Sequence, residues 1–282
     1  MIRRLVKKFL IEPWAAIDAE TESTPEADRK ALIGGLVSCL MLVGLNYGAM
    51  SAGLQRRVAE WGVGRLELHP NWLPYPAWCY GGLIEHLYWV LACVTVYLIV
   101  PALTVKFVLR ERLRDYGLST EGFRRHLPIY LLLYVPVAIC VGIVSFFPSF
   151  QQMYPFYRPA VEWTDLVIWE VCYLMHFFAL EFFFRGFMLS TLKKRMGAWA
   201  IVAMTIPYTM IHFQKPLPET LGAIVAGVVL GTIALRTRSI WGGVMIHAGV
   251  ALSMDLAALL HHLAAGGFWH PETTLFGSDL LF

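Results

Sequence analysis

The stretch LVIWEVCYLMHFFALEFFFRGFMLSTL, residues 166–192, is almost entirely apolar and carries Glu181 and Arg185 near its middle. A helix of this length is about 40 Å long, enough to cross the roughly 30 Å hydrocarbon layer of a bilayer. A charge at the centre of a spanning helix costs about 2.5 to 3.5 kcal/mol, so such charges usually pair or face a polar cavity. Glu181 precedes Arg185 by four residues, the order that favours an ion pair on one helical face. The pair indicates either a functional site or a self-neutralising pair that locks one helix to another.

The composition agrees with a membrane protein. Of 282 residues, 57% are hydrophobic and 15% are charged, whereas soluble domains are about 45 to 50% apolar and about 25% charged. The net charge of +3 is small and scattered, so it does not favour nucleic acid as a partner. The five cysteines show no C-x-x-C spacing and all but Cys79 lie in apolar runs, which predicts buried thiols instead of disulfides or a metal cluster.

The fold class that we expect is all-α, a polytopic membrane bundle of about seven transmembrane helices. A cytoplasmic segment at 1–30 should precede a membrane domain at 31–264 and a tail at 265–282. Within the first segment, apolar residues at 2–10 repeat at helical spacing opposite four basic residues, which predicts an amphipathic helix on the membrane surface. The seven apolar runs lie near 31–51, 83–105, 127–147, 165–189, 198–213, 217–235 and 240–264.

Basic residues are distributed unevenly between the segments that connect these runs. Of the 23 Lys and Arg residues, 17 lie in the alternate segments that start with the N-terminus, 5 lie in the others, and Arg185 lies within a run. Because basic residues are retained on the cytoplasmic side, this bias predicts a cytoplasmic N-terminus and a C-terminus outside.

Three histidines in apolar runs join the charged pair: His176, His212 and His247. Glu181 lies 16 residues before Gly197 and His212 lies 15 residues after it, so an antiparallel hairpin would bring both to about 23 Å from the turn. His247 needs tilted helices to reach that depth. A carboxylate and imidazoles at one depth suit water activation, with the glutamate as general base and the imidazoles holding water or donating to an oxyanion.

A metal site is the alternative for the same histidines. His176, His212 and His247, with Glu181 or Asp255, offer a three-histidine set that suits zinc. The sequence contains no H-E-x-x-H motif, so it gives no strong signal of a metalloprotease. A divalent metal such as zinc therefore stays an open alternative to a site without a cofactor.

Three ordered stretches resemble the motifs of a known family. They are Glu181-Phe-Phe-Phe-Arg185-Gly-Phe, Tyr208-Thr-Met-Ile-His212 and Ser239-Ile-Trp-Gly-Gly-Val-Met-Ile-His247. They are similar to EExxxR, an aromatic residue shortly before a histidine, and HxxxN or HxxxD of the CAAX prenyl protease and bacteriocin-processing family, also called CPBP or Abi. This resemblance covers a protease-like core at about 166–264. It implies an intramembrane protease in which a glutamate activates water, His212 and His247 bind the water and stabilise the oxyanion, and Arg185 supports the acidic motif.

The chain departs from these motifs at two positions. The first glutamate of EExxxR is Leu180, and the Asn or Asp of the third motif is Ala251. Asp255, two turns after His247, and His176, one turn before Leu180, are placed to compensate. The candidate site residues are thus Glu181, Arg185, His176, His212 and His247.

The resemblance implies an endopeptidase of a bacterial inner (plasma) membrane that acts on a membrane-associated peptide or protein, with the lipid bilayer as its other partner. The alternative is a catalytically silent relative that binds a peptide or acts as an immunity protein. A third interpretation is a transporter that uses the buried charges as an ion pathway. Transporters commonly contain paired repeats, and the sequence shows no internal symmetry.

Overall fold

The computed structural model describes residue 7 and residues 11–69, 75–158 and 163–264. It is 84% helical, and these residues form no β-strand, which confirms the all-α prediction. The surface helix expected at 2–10 lies outside the described residues apart from Lys7, and the tail at 265–282 lies outside them entirely.

Six helices are long and apolar enough to cross a membrane among the residues that the structure covers, which confirms a polytopic integral membrane protein. In chain order the helices are α1 (Glu12–Asp18), α2 (Pro25–Ala49), α3 (Ala52–Glu67), α4 (Ala77–Leu109), α5 (Phe123–Val144), α6 (Pro148–Met153), α7 (Thr164–Met196), α8 (Trp199–Met210), α9 (Leu217–Thr237) and α10 (Trp241–Ala264). The six that are long and apolar enough to span are α2, α4, α5, α7, α9 and α10.

Helix α8 is shorter than the span expected at 198–213. Its 12 residues make a helix of about 18 Å, well below the thickness of the hydrocarbon layer. It contains Pro207 and ends before Ile211, and a proline inside a helix removes one backbone hydrogen bond. Within the described residues, the seven apolar runs therefore correspond to six helices long enough to span a membrane and one short apolar helix.

The chain divides into two compact units. The first comprises residues 1–42, 96–133 and 178–246, and the second comprises residues 43–95, 134–177 and 247–282. The boundaries fall within α2, α4, α5, α7 and α10, so each of these helices contributes residues to both units.

The centre of the first unit is the second half of α7. A π-helical turn at Phe182–Met188 interrupts the α-helix, and all seven of its residues are buried. Tyr97 of α4 packs on it, with its ring centroid 5.0 Å from that of Phe183. π-Helical turns of this kind are frequent at functional sites.

Helix α1 makes polar contacts with other parts of the first unit. Trp14 of α1 donates from Nε1 to Thr232 of α9 over 3.0 Å. Asp18 Oδ1 accepts the N–H of Ala198 over 2.7 Å, which satisfies a donor at the start of α8 that has no partner within the helix. These contacts join α1 to α9 and to the turn between α7 and α8.

The core of the second unit is aromatic. Trp169, Tyr173 and Phe177 of α7 form a cluster with Leu83 and Val90 of α4. Trp169 is fully buried, and its ring stacks on Tyr173 with centroids 4.7 Å apart. The ladder of rings follows one face of α7, because residues three and four apart lie on the same side of a helix.

Candidate active site

Glu181 and Arg185 form the ion pair that their spacing predicts. Arg185 Nη1 lies 3.0 Å from Glu181 Oε1, and neither side chain has any exposed surface. Two charges removed from water are tolerated only when each offsets the other's lost solvation. The first unit therefore holds a charged pair in a fully desolvated place.

The Arg185 guanidinium lies over the ring of Tyr208, with its central carbon 3.9 Å from the ring centroid. A desolvated cation over an aromatic face is stabilised by up to about 2 kcal/mol. Arg185 lies 12 residues before Gly197 and Tyr208 lies 11 after it. Their contact agrees with the antiparallel hairpin expected from the spacing about that glycine.

Arg185 has hydrogen-bond donors besides the nitrogen that binds Glu181. Its Nε and Nη2 atoms are buried and have no hydrogen-bond partner among the described residues. Buried donors of this kind are normally satisfied by water or a ligand. The arrangement can therefore orient Glu181 with one nitrogen of the guanidinium.

His212 follows Tyr208 by one turn. The two ring centroids lie 4.8 Å apart, and His212 Nδ1 lies 2.7 Å from the Tyr208 carbonyl oxygen. Because a carbonyl can only accept, Nδ1 carries the proton, and Nε2 is the basic nitrogen of the neutral ring. Thr220 of α9 donates to the His212 carbonyl over 2.6 Å, which holds the backbone just beyond the end of α8. The first unit thus brings together Glu181, Arg185 and His212 through Tyr208.

The second unit contains His176 and His247, and both lie against Phe177. The His247 ring centroid is 4.6 Å from that of Phe177 and the His176 centroid is 5.3 Å from it. His176 also packs on Trp89 at 4.4 Å. One phenyl ring therefore sets the position of both imidazoles.

The motif position at Ala251 belongs to an apolar core. Ala251 is 6% exposed and clusters with Trp169, Tyr173 and Phe177. Asp255, one turn further on, accepts the N–H of Phe156 over 2.9 Å. The structure thus assigns Asp255 the support of the backbone before α7.

Some neighbours of the candidate residues were not predicted from the sequence. The stacking role of Tyr208 was missed, although its place one turn before His212 was a usable signal. Glu170 lies in the same apolar run as Glu181 and interacts with Asp255 in the second unit. Its position in that run was the signal that could have identified it.

In the part of the chain that the structure describes, no group of three or more His, Cys, Asp or Glu side chains is arranged to hold a metal ion. A zinc site formed by His176, His212 and His247 stays a prediction. Elemental analysis of the purified protein tests the zinc alternative directly.

Comparison with known proteins gives one match. Residues 162–253 match the family model described as "Type II CAAX prenyl endopeptidase Rce1-like". No curated protein and no solved structure matches the chain. The matched segment contains Glu181, Arg185, His212 and His247, together with both departures at Leu180 and Ala251. About a third of the chain, including all five candidate residues, is therefore similar to the Rce1-like CAAX prenyl endopeptidases.

Proposed function

We propose that the protein is an intramembrane endopeptidase in which Glu181 activates water for attack on a peptide bond. The observation that carries the proposal is the complete burial of Glu181 and Arg185 beside Tyr208 and His212. A buried carboxylate that is hydrogen-bonded to a guanidinium is suited to take a proton from an admitted water molecule. The match of residues 162–253 to a CAAX prenyl endopeptidase family supports the endopeptidase function in general.

In the proposed reaction, Glu181 accepts one proton from water while the water oxygen attacks the scissile carbonyl carbon. His212 holds the water through Nε2, because its Nδ1 proton is donated to the Tyr208 carbonyl. His247, assigned through the third motif, donates a hydrogen bond to the oxyanion. The C–N bond then breaks, and the proton held by Glu181 passes to the leaving amine.

Arg185 is assigned a positioning role, because its hydrogen bond fixes one oxygen of the Glu181 carboxylate. His176 is included in the proposal because it lies against the same phenyl ring as His247. A change at His176 would therefore disturb the orientation of the oxyanion donor.

The substrate class that fits an apolar, membrane-embedded site is a membrane-associated peptide or protein. The bacterial inner membrane is the location that the resemblance implies, and the Lys and Arg bias between segments favours an N-terminus in the cytoplasm and a C-terminus outside. Reporter fusions at each terminus test this orientation, and a cytoplasmic C-terminus would contradict it.

The test of the enzymatic proposal is cleavage of a peptide library by the purified protein in liposomes, read by mass spectrometry. Removing a general base lowers the rate by about 100-fold to 10,000-fold, so Glu181→Gln and His212→Ala should lose nearly all cleavage. The control is Glu121→Gln, because that carboxylate is exposed and its pairing with Arg114 is loose at 3.5 Å.

Two results would contradict the proposal: no cleavage by the unmodified protein, or cleavage that persists in both site variants. Peptide retention without cleavage would instead identify the silent binding relative.

A further inference from the structure

Two adjacent glycines at the start of α10 contact side chains of other helices. A Cβ atom at Gly242 would overlap the ring of Tyr130. A Cβ atom at Gly243 would overlap the Glu181 carboxylate and lie 3.0 Å from its carboxyl carbon. Gly222 of α9 is different, since a Cβ atom there meets nothing within 4 Å. The first turn of α10 therefore depends on the missing side chain at Gly243 to accommodate a charged group.

The Glu181 carboxylate is thus confined from two directions. Arg185 Nη1 holds Oε1 at 3.0 Å, while Oε2 lies against the backbone of Gly243. The residue is 0% exposed, so the carboxylate has little room to move aside. An added methyl group at position 243 must push the carboxylate away from its present place.

The first turn of α10 is itself held by the connector Tyr116–Ser119. The Gly117 carbonyl accepts the N–H of Ile240 over 2.9 Å. Ser239 Oγ donates to the Ser119 carbonyl over 2.8 Å, and Trp241 Nε1 donates to the Leu118 carbonyl over 3.3 Å. Three hydrogen bonds thereby fix where α10 begins.

The same connector also touches the π-helical turn of α7. A Cβ atom at Gly186 would lie 2.7 Å from the Tyr116 carbonyl oxygen, and the ring of Tyr116 stacks on Phe187 with centroids 6.4 Å apart. Tyr116 is held in turn by a 2.7 Å hydrogen bond to Glu111. The connector therefore sets the spacing between the helix that carries Glu181 and the helix turn that faces its carboxylate.

We propose that Gly243 is a positioning residue for the Glu181 carboxylate, and that the connector Tyr116–Ser119 holds Gly243 at the required distance. This inference rests on the proposed role of Glu181 as general base. Catalytic groups tolerate little displacement, and a misplacement of about 1 Å can cost about 100-fold in rate.

The test is a double-mutant cycle that compares Gly243→Ala with Glu181→Asp. Aspartate is shorter by one methylene and leaves room for the new methyl group. We expect Gly243→Ala to lower kcat about 100-fold with little change in KM. The same change should lower kcat by less than about 3-fold when it is added to Glu181→Asp. Gly222→Ala is the matched control and should keep full activity, because the position is open.

Three results would overturn the inference: full activity in Gly243→Ala, an equal loss from that change in both backgrounds, or a KM effect with kcat unchanged. Should Gly243→Ala fail to fold, the double variant decides, since a folded double variant supports the contact and an unfolded one refutes it.

Failure of the proposed function is distinguishable from failure of the inference. If neither the unmodified protein nor any variant cleaves peptide, thermal unfolding still reports the contact between Gly243 and Glu181. It is measured for the unmodified protein, the two single variants and the double variant. Destabilisation by Gly243→Ala that Glu181→Asp relieves supports positioning, and additive destabilisation refutes it.

Discussion

Replacement of Arg185 by methionine should destabilise the protein by about 3 to 5 kcal/mol, because it leaves the buried Glu181 charge without its guanidinium. The structure gives three reasons for the size of the effect. Both side chains are 0% exposed, their contact is 3.0 Å, and the guanidinium also loses its place over the Tyr208 ring. Replacing both charged residues by methionine should recover most of the loss, since apolar pairs of similar volume are often neutral substitutes for a buried ion pair.

The assay is thermal or denaturant unfolding in detergent for Arg185→Met, Glu181→Met and the double variant. Arg112→Met is the matched control, because Arg112 also lies 3.0 Å from its carboxylate partner Asp115 but in an exposed pair. We expect no measurable change there, since exposed ion pairs contribute little. The reasoning is refuted if Arg185→Met shifts the midpoint no more than the control does, or if the double variant loses the sum of the two single losses.

Three further predictions concern stability. Asp18→Ala should cost about 1 kcal/mol, or about 3 °C in melting temperature, because it removes the hydrogen bond to Ala198 at the start of α8; an unchanged melting temperature would contradict this. Ala251→Asn should cost about 1 to 3 kcal/mol, because the amide would enter an apolar cluster; a gain in stability in the same melting assay would show that the position is polar. Burial raises the pKa of the Glu111 carboxyl, but hydrogen bonds from Lys30 and Tyr116 and the nearby positive charges outweigh it, so the pKa lies below its ordinary 4.5. Because the pKa is lower in the folded state, this contribution to stability is complete above about pH 4.5 and is lost as the pH falls through the folded value. In Glu111→Gln the melting temperature should therefore depend less on pH across that range, and an unaltered pH dependence would exclude this group.

Local spacing was enough to predict the central contacts of the first unit. Glu181 and Arg185 pair because a four-residue separation is fixed by helix geometry alone. The count of residues on either side of Gly197 also predicted which parts of α7 and α8 meet. Both inferences used distances along the chain, which a helix converts directly into positions.

Contacts between helices that are far apart in the sequence could not be predicted in the same way. The approach of Gly243 to Glu181 depends on where α10 begins, and hydrogen bonds from the connector Tyr116–Ser119 determine that. Hydropathy also overestimated the length of α8, because an apolar run does not reveal how many of its residues are helical. Whether His176 and His247 take part in catalysis stays a prediction, as does the role of Glu181 as base.

The short length of α8 makes the thickness of the surrounding lipid an experimental variable. A helix of about 18 Å leaves several ångströms of the hydrocarbon layer to the non-helical residues that follow Met210, among them His212. Non-helical backbone at that depth is tolerated only where protein or water satisfies its polar groups. Reconstitution in bilayers of shorter acyl chains should therefore relieve the mismatch around this segment, and a series of chain lengths would measure how strongly the membrane itself controls access to the histidine.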